Sequence, residues 1–285
     1  MPDDDRILRS LDRDSGIVTL SFNNPERRNT YDPAMRDRLA GYLDEAAADD
    51  DVKVVHLRGE GGVFSTGADM GNAYAWYGPG AQSDGRRPSQ RRRLTVDRAT
   101  FGFYHEFIGF PKVTVAEVAG YALGGAFELA LAADIAVVAR DARIGMPAAR
   151  FLGPALGSLH LFFHRLGPVL ARRLLLTGDI IEAGTLESLG VFTEFASAGD
   201  VPARASYWAR KASRMPADGI VMAKEAFRLV EQLQAYQGEE VFSYLTHAFG
   251  TNLRFEPGEF NFVKERAAHG TKEAFRRRDA HFDVE

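Results

Sequence analysis

The sequence predicts an α/β fold that gives way to a helical C-terminal region, and two observations predict it. Short β-branched runs alternate with amphipathic helical stripes through residues 1–195, the pattern of parallel strands joined by helices. Over residues 196–285 the strand signals fade and apolar residues recur at intervals of three and four.

The elements follow in order. Residues 17–22 (IVTLSF) read as a strand introduced by the turn formers Asp14-Ser15-Gly16. Asp32 supplies an N-cap and Pro33 the first helical position. Met35, Leu39, Tyr42, Leu43 and Ala46 then form one helical stripe. Strands are expected at 52–57 (VKVVHL), 113–118 (VTVAEV) and 135–138, with a helix from about Gly125 before the last. Residues 78–93 (GPGAQSDGRRPSQRRR), rich in Gly, Ser, Pro and Arg, read as a mobile surface loop. Beyond residue 195, Ile220, Ala223, Phe227 and Val230 mark one helix and residues 239–249 another.

Bulk properties narrow the class. With 45% hydrophobic and 26% charged residues, the chain of 285 residues can bury a sizeable core. A net charge of −4 argues against a general nucleic-acid binder, which needs a basic excess. Zero Cys excludes disulfides, thiolate nucleophiles and Cys-based metal sites. The acidic start MPDDDRILRS lacks the apolar core of a signal peptide, and no apolar run approaches the ~18 residues of a membrane span. The expectation is a soluble, cytoplasmic protein with no membrane partner.

Two glycine-bearing turns carry the chemistry. The first is Val63-Phe64-Ser65-Thr66-Gly67-Ala68-Asp69-Met70, where small residues at 66–68 let a ligand approach the backbone. Alone, it also fits a plain strand-to-helix turn. The second is Gly120-Tyr121-Ala122-Leu123-Gly124-Gly125-Ala126-Phe127-Glu128, a strand running through two glycines into a helix. Such a helix start presents unpaired N–H groups and a partial positive charge that suit an oxyanion. Glu128 falls in the first turn of that helix, where it either works beside the bound oxyanion or merely complements the dipole. Two separate amides converging on one oxygen, with a carboxylate to move the adjacent proton, are what enolate stabilisation requires.

The ordered motifs resemble the crotonase (enoyl-CoA hydratase/isomerase) superfamily. The pattern N-x-P-x-x-x-N appears around Asn24-Pro25-Glu26-Arg27-Arg28-Asn29, followed by F-S-x-G-A-D and G-x-A-x-G-G-x-x-E-L-A-x-x-x-D ending at Asp134. Arg165-Leu166-Gly167, Leu176-Thr177-Gly178 and Glu256 to Arg266 extend the likeness across about residues 6–266. The resemblance implies a spiral of ββα units with a helical C-terminal trimerisation region, assembled as a homotrimer or homohexamer. It implies an acyl-CoA substrate, coenzyme A being part of the substrate and no other cofactor needed. It assigns the oxyanion-hole amides to Ala68 and Gly125 and the proton-handling role to Glu128. It places substrate contacts at Arg27 and Arg28, at Ser65, Gly67, Asp69 and Met70, at Tyr121 and Gly124, and at Phe262 and Lys264, the last two reaching either their own site or that of a neighbouring subunit. Asp134 it leaves as a structural residue at a strand start.

The sequence also departs from the family. Hydratases carry a second glutamate after a Pro in F-G-x-P-E-x-x-L-G, whereas here the segment is Ile144-Gly145-Met146-Pro147-Ala148-Ala149-Arg150-Phe151-Leu152-Gly153. Either alignment puts Ala148 or Ala149 at the carboxylate position, so two-glutamate hydration is disfavoured and one-base enolate chemistry favoured. His160, Tyr104 and His105 are candidate replacement or pocket residues. His160 and His164 stand four apart, but a metal site would need a third ligand, and no metal is expected. Arg86, Arg87, Arg91, Arg92 and Arg93 form a basic cluster, either solvated or drawn to CoA phosphates. The alternative to an enzyme is a catalytically silent acyl-CoA-binding or RNA-binding relative.

Overall fold

The computed structural model describes residues 5–71, 77, 88–152, 158–233, 236–250, 255 and 258–283. Its strands are β1 (Ile7–Asp12), β2 (Ile17–Phe22), β3 (Val54–Gly59), β4 (Val113–Val118), β5 (Tyr121–Leu123), β6 (Ile135–Ala139), β7 (Arg143–Gly145), β8 (Ile180–Glu182) and β9 (Glu194–Ala196). Its helices are α1 (Pro33–Ala48), α2 (Gln90–Ile108), α3 (Gly125–Ala132), α4 (Ala149–Leu152), α5 (Leu159–Thr177), α6 (Val201–Ser213), α7 (Ala217–Leu233), α8 (Tyr236–Gly250), α9 (Phe262–His269) and α10 (Thr271–Phe282).

A six-stranded sheet runs β1-β2-β3-β4-β6-β9, and a three-stranded sheet runs β5-β7-β8. Only β1 is antiparallel in the large sheet, pairing Ile7 with Phe22 through Asp12 with Ile17. The other pairs of that sheet are parallel. Parallel strands are covered on both faces and so read as continuous apolar runs, as Val54, Val55 and Leu57 of β3 and Val113, Val115 and Ala116 of β4 do. The Asp32 carboxylate accepts from the Met35 amide at 2.9 Å, the cap that starts α1.

Asp134 is structural, as expected. Its carboxylate accepts from the Thr114 amide at 2.8 Å and hydroxyl at 3.0 Å, and faces the buried Lys224 ammonium at 2.6 Å. One side chain thus ties β4, the start of β6 and α7 together. The last strand ends at Ala196, but α6 packs directly on β3, β4 and β6, so the first C-terminal helix belongs to the core. The α9–α10 hairpin returns to the first turn, where Arg266 donates to the Met70 carbonyl at 2.6 Å. Phe151, Phe262 and Ala274 form a small second core there, and the Arg278 guanidinium lies 5.2 and 5.0 Å above the rings of Phe151 and Phe275.

The structure corrects the expected loop at 78–93. Helix α2 begins at Gln90, capped by the Ser89 hydroxyl, so Arg91, Arg92 and Arg93 are helical. Arg93 is buried rather than solvated. Residues 78–87, with Arg86 and Arg87, lie outside the described residues. The expected strand at 52–57 starts two residues later, at Val54. No described helix is long and apolar enough to cross a membrane.

Candidate active site

The first turn is built from behind by Asn29. Its side chain donates to the carbonyls of Glu60 and Val63 at 2.9 and 2.6 Å and accepts from the Asn24 amide at 2.8 Å. The Ser65 hydroxyl donates to the Asn29 carbonyl at 2.6 Å and accepts from the Gly67 amide at 3.0 Å. Tyr31 then bridges the turn, donating its amide to Gly67 at 3.0 Å while its carbonyl accepts from Asp69 at 2.8 Å. This uses the groups on either side of Ala68 and leaves the Ala68 N–H without an acceptor among the described residues.

The second turn lies against the first. Ser65 donates to the Tyr121 carbonyl at 2.9 Å and accepts from Leu123 at 3.2 Å. Gly67, at φ +83°, admits no side chain: a Cβ would stand 2.3 Å from the Leu123 carbonyl and 3.5 Å from the Gly125 amide nitrogen. Gly124 takes φ 59° and ψ −129°, a glycine conformation that turns β5 into α3. Its carbonyl accepts from Phe127 and Glu128, while the Gly125 N–H belongs to the first turn of α3 and has no acceptor among the described residues. The amides of Ala68 and Gly125 therefore stand on adjoining turns.

Glu128 is 4% exposed, one turn into α3. Two phenols share its corner. The hydroxyls of Tyr31 and Tyr104 lie 2.6 Å apart. A side chain on residue 125 would begin 2.0 Å from the Tyr104 hydroxyl and 2.1 Å from that of Tyr31, so glycine is required there. Burial pushes the Tyr104 phenol well above its ordinary range, and its neighbours Tyr31 and Glu128 push it further. Burial likewise raises Tyr31, with Glu128 adding to the shift. Both phenols stay protonated and can donate.

These groups open on a cavity of about 900 Å³. Of the sequence candidates, Ala68, Gly125 and Glu128 border it, as do Arg28, Met70, Tyr121, Gly124, Phe262 and Lys264. Phe262 and Lys264 do so within their own chain. Arg28 takes φ 53° and places its guanidinium 5.1 Å over the Tyr121 ring. Arg27, Ser65, Gly67 and Asp69 stand outside the cavity wall: Ser65 and Gly67 shape the turn, and Arg27 pairs with Asp69 at 2.7 Å. Ala148 borders the cavity, whereas Ala149 is packed into the core, so of the two only position 148 could present a side chain to the cavity. Tyr104 borders it too. His105 is buried, with Nδ1 2.8 Å from the Phe101 carbonyl. His160 and His164 stack on each other at 5.4 Å, away from the cavity wall. Among the described residues, no cluster of three His, Asp or Glu could hold a metal.

Sequence reasoning missed Asp97 and His247, and it placed Arg93 wrongly. All three border the cavity. The available signal was the spacing 93, 97, 100, 104, one face of a helix.

A parallel-strand core opening on two adjoining amide turns is the architecture of the crotonase fold, and the comparisons bear this out. The sequence model of the enoyl-CoA hydratase/isomerase family matches residues 12–272. A putative enoyl-CoA hydratase of Thermus thermophilus is 32% identical over 73% of this chain and 79% of its own. A 1,2-epoxyphenylacetyl-CoA isomerase of Escherichia coli is 26% identical over 76% and 80%. The crystal structure of an enoyl-CoA hydratase/isomerase from Xanthobacter autotrophicus Py2 superposes with a TM-score of 0.81 at 27% identity, covering 99% of this chain and 100% of that one. The chain belongs to the enoyl-CoA hydratase/isomerase family and is an enzyme of that hydratase/isomerase type. The comparisons lend no support to a silent or RNA-binding protein.

Proposed function

We propose that the enzyme moves a proton at the α carbon of an acyl-CoA through a thioester enolate, isomerising an unsaturated acyl chain with Glu128 as its single carboxylate acid–base. The observation that carries this is the meeting of the Ala68 and Gly125 turns beside buried Glu128 at one cavity wall. In this reading the thioester oxygen accepts from both amides, and the negative charge that develops as the α proton leaves is held there. Glu128 takes that proton and returns it to the γ carbon. Ala148 at the second carboxylate position removes the usual means of activating water, which favours proton transfer over hydration. Tyr104, held protonated beside Glu128, is a second donor that can steady the carboxylate or the enolate. Coenzyme A enters as part of the substrate, with Arg28, Phe262 and Lys264 as its contacts.

The test is exchange of α protons of a saturated acyl-CoA into heavy water, followed by mass, alongside a panel of enoyl-CoAs. Exchange that disappears in Glu128→Gln supports the reading. Rapid hydration of enoyl-CoA without α exchange removes it.

The same reading includes self-association as a trimer or hexamer. Helix α7 exposes Met222 (73%), Phe227 (60%), Val230 (54%) and Leu233 (80%), large apolar side chains that a neighbouring copy could cover. Light scattering giving only monomer at micromolar concentration would end the assembly proposal.

A further inference from the structure

Helix α2 turns a polar face to the cavity: Arg93, Asp97, Thr100 and Tyr104 all border it. Tyr104 stands at the Glu128 corner. Asp97 is two helical turns back from it, about 10 Å along the axis. An acyl chain that ran from the Glu128 corner along α2 would pass this polar stretch as well as Val96 and Phe101, where a pocket for plain hydrocarbon would be apolar throughout.

The polar groups on this face differ in how they are satisfied. The Thr100 hydroxyl donates to the Val96 carbonyl at 2.9 Å and accepts from Arg36 at 2.7 Å, so it needs nothing more. Arg93 donates to the Pro88 carbonyl at 3.3 Å and lies 5.5 Å over the Tyr77 ring. Asp97 is 3% exposed, and its Oδ2 lies 3.1 Å from Nδ1 of His247 on α8. Yet neither atom has an aligned hydrogen-bond partner, close as they are. The His247 ring also packs edge-on against Phe101 with centroids 5.1 Å apart. A buried carboxylate oxygen and a buried ring nitrogen thus stand as a close but misaligned pair at the cavity wall, with room in their geometry for a group that bonds both.

We infer that Asp97 and His247 form a recognition site for a hydroxyl group on the acyl chain, distant from the thioester. A hydroxyl is the group that answers both needs at once. It donates its hydrogen to the Asp97 carboxylate and accepts the Nδ1–H of His247. A plain alkyl chain would leave both atoms desolvated and unpaired, which sites of this kind discriminate against strongly. A carboxylate could not donate to Asp97 and would be repelled by it, Arg93 one turn away offsetting only part of this. The inference rests on the acyl-CoA reading above and specifies its substrate class: hydroxylated, medium-length or aryl acyl-CoAs.

The test is calorimetric binding of saturated, unreactive thioesters to the wild-type enzyme. Octanoyl-CoA, 8-hydroxyoctanoyl-CoA and octanedioyl-CoA are compared, with phenylpropanoyl-CoA and its para-hydroxy derivative as the aryl pair. The hydroxylated member of at least one pair should bind about ten- to a hundredfold more tightly than its deoxy partner. His247→Phe preserves the packing on Phe101, and Asp97→Leu removes the acceptor. Each should abolish the preference, by weakening the hydroxylated thioester, strengthening its deoxy partner, or both, and a cooperative thermal melt shows that the variant is folded. Equal binding of hydroxylated and deoxy thioesters to wild type, as when solvent alone bridges the pair, overturns this inference and leaves the acyl-CoA reading standing. Tightest binding of octanedioyl-CoA also overturns it, in favour of an anion site at Arg93. Failure to bind any of the thioesters removes both readings together.

Discussion

The hydroxyl of Tyr104 lies 2.6 Å from that of Tyr31, and both occupy the place where a side chain on residue 125 would begin. The Gly125 turn is thus shaped by two phenols, one from α2 and one two residues ahead of α1, as well as by its own glycines. Gly125→Ala should force the rings outward at a cost of about 1–3 kcal/mol, the usual penalty for overpacking. It should also displace the amide that faces the cavity, cutting turnover by more than about tenfold. Adding Tyr31→Phe and Tyr104→Phe should recover part of the stability but not the turnover. Thermal melts and turnover of the three proteins decide it, and a Gly125→Ala enzyme equal to wild type in both would refute the close approach.

The same pair sets an alkaline limit on stability. Burial raises both phenols above their unfolded value near 10. Their contribution is therefore fully present below about pH 10 and is lost as pH rises from there toward the folded values. Above about pH 10, each phenol still neutral in the fold costs up to ~1.4 kcal/mol per pH unit. Tyr104→Phe should flatten the decline of the melting temperature between about pH 9.5 and 11. Identical alkaline profiles for the two proteins would show that the phenols are not the groups responsible.

Arg28 and the α2 arginines should differ in their effect on CoA affinity. Arg28 borders the cavity and lies over Tyr121, whereas Arg91 and Arg92 are exposed on α2. Arg28→Ala should weaken acyl-CoA binding by roughly tenfold at low salt, and Arg91→Ala with Arg92→Ala should do less. The Arg28 effect should shrink as salt rises, because exposed phosphate contacts are screened over about 8 Å at physiological ionic strength. Titrations at two salt concentrations check this, and equal affinities for all variants at low salt would refute it.

Placing a carboxylate at position 148 should redirect the chemistry. Ala148 borders the cavity and Ala149 does not, so only Ala148→Glu presents its carboxylate to a bound enoyl-CoA. We expect crotonyl-CoA hydration, slow in the wild type, to rise by about tenfold or more in this variant, with Ala149→Glu destabilised instead. Wild-type hydration at the ordinary enzymatic rate of about 10–10³ per second would mean that another group already activates water.

Much of this fold was legible because local signals and packing agreed. Asp32 caps α1 where its position before Pro33 predicted, and the apolar run of β2 matches its residues end to end. The misses have physical reasons. Strands β5, β7, β8 and β9 are three residues each, too short to show a period. β1 is an edge strand with mostly exposed side chains, so no apolar alternation marks it. Helix α2 was hidden by its own polarity. Its polar stripe from Arg93 to Tyr104 faces a cavity inside the protein, and sequence cannot tell an internal polar wall from solvent. The two turns could be read because glycines forced by close approach, Gly67 and Gly125, leave a pattern that packing alone would not. The phenols behind them could not, since Tyr31 and Tyr104 lie 73 residues apart and meet only in the fold.

Glu128→Gln tests the residue on which the mechanism depends. The amides of Ala68 and Gly125 can polarise a thioester, but an N–H donor in a backbone cannot carry a proton between carbons. The carboxylate can, and it is buried one turn into α3 beside the Gly125 amide and two protonated phenols. Gln keeps the size of Glu and can still hydrogen-bond, so the corner should keep its packing and the protein its melting temperature. Turnover should fall by roughly 10²–10⁴, the usual worth of a positioned acid–base group, while acyl-CoA affinity changes little because the carbonyl donors remain. A loss confined to kcat would mark Glu128 as acting in the transition state, whereas a matching rise in KM alone would mark it as a binding residue. Should the Gln variant turn over within about threefold of wild type on its best substrate, Glu128 would leave the mechanism, and Tyr104, the phenol of that corner that borders the cavity, would take its place.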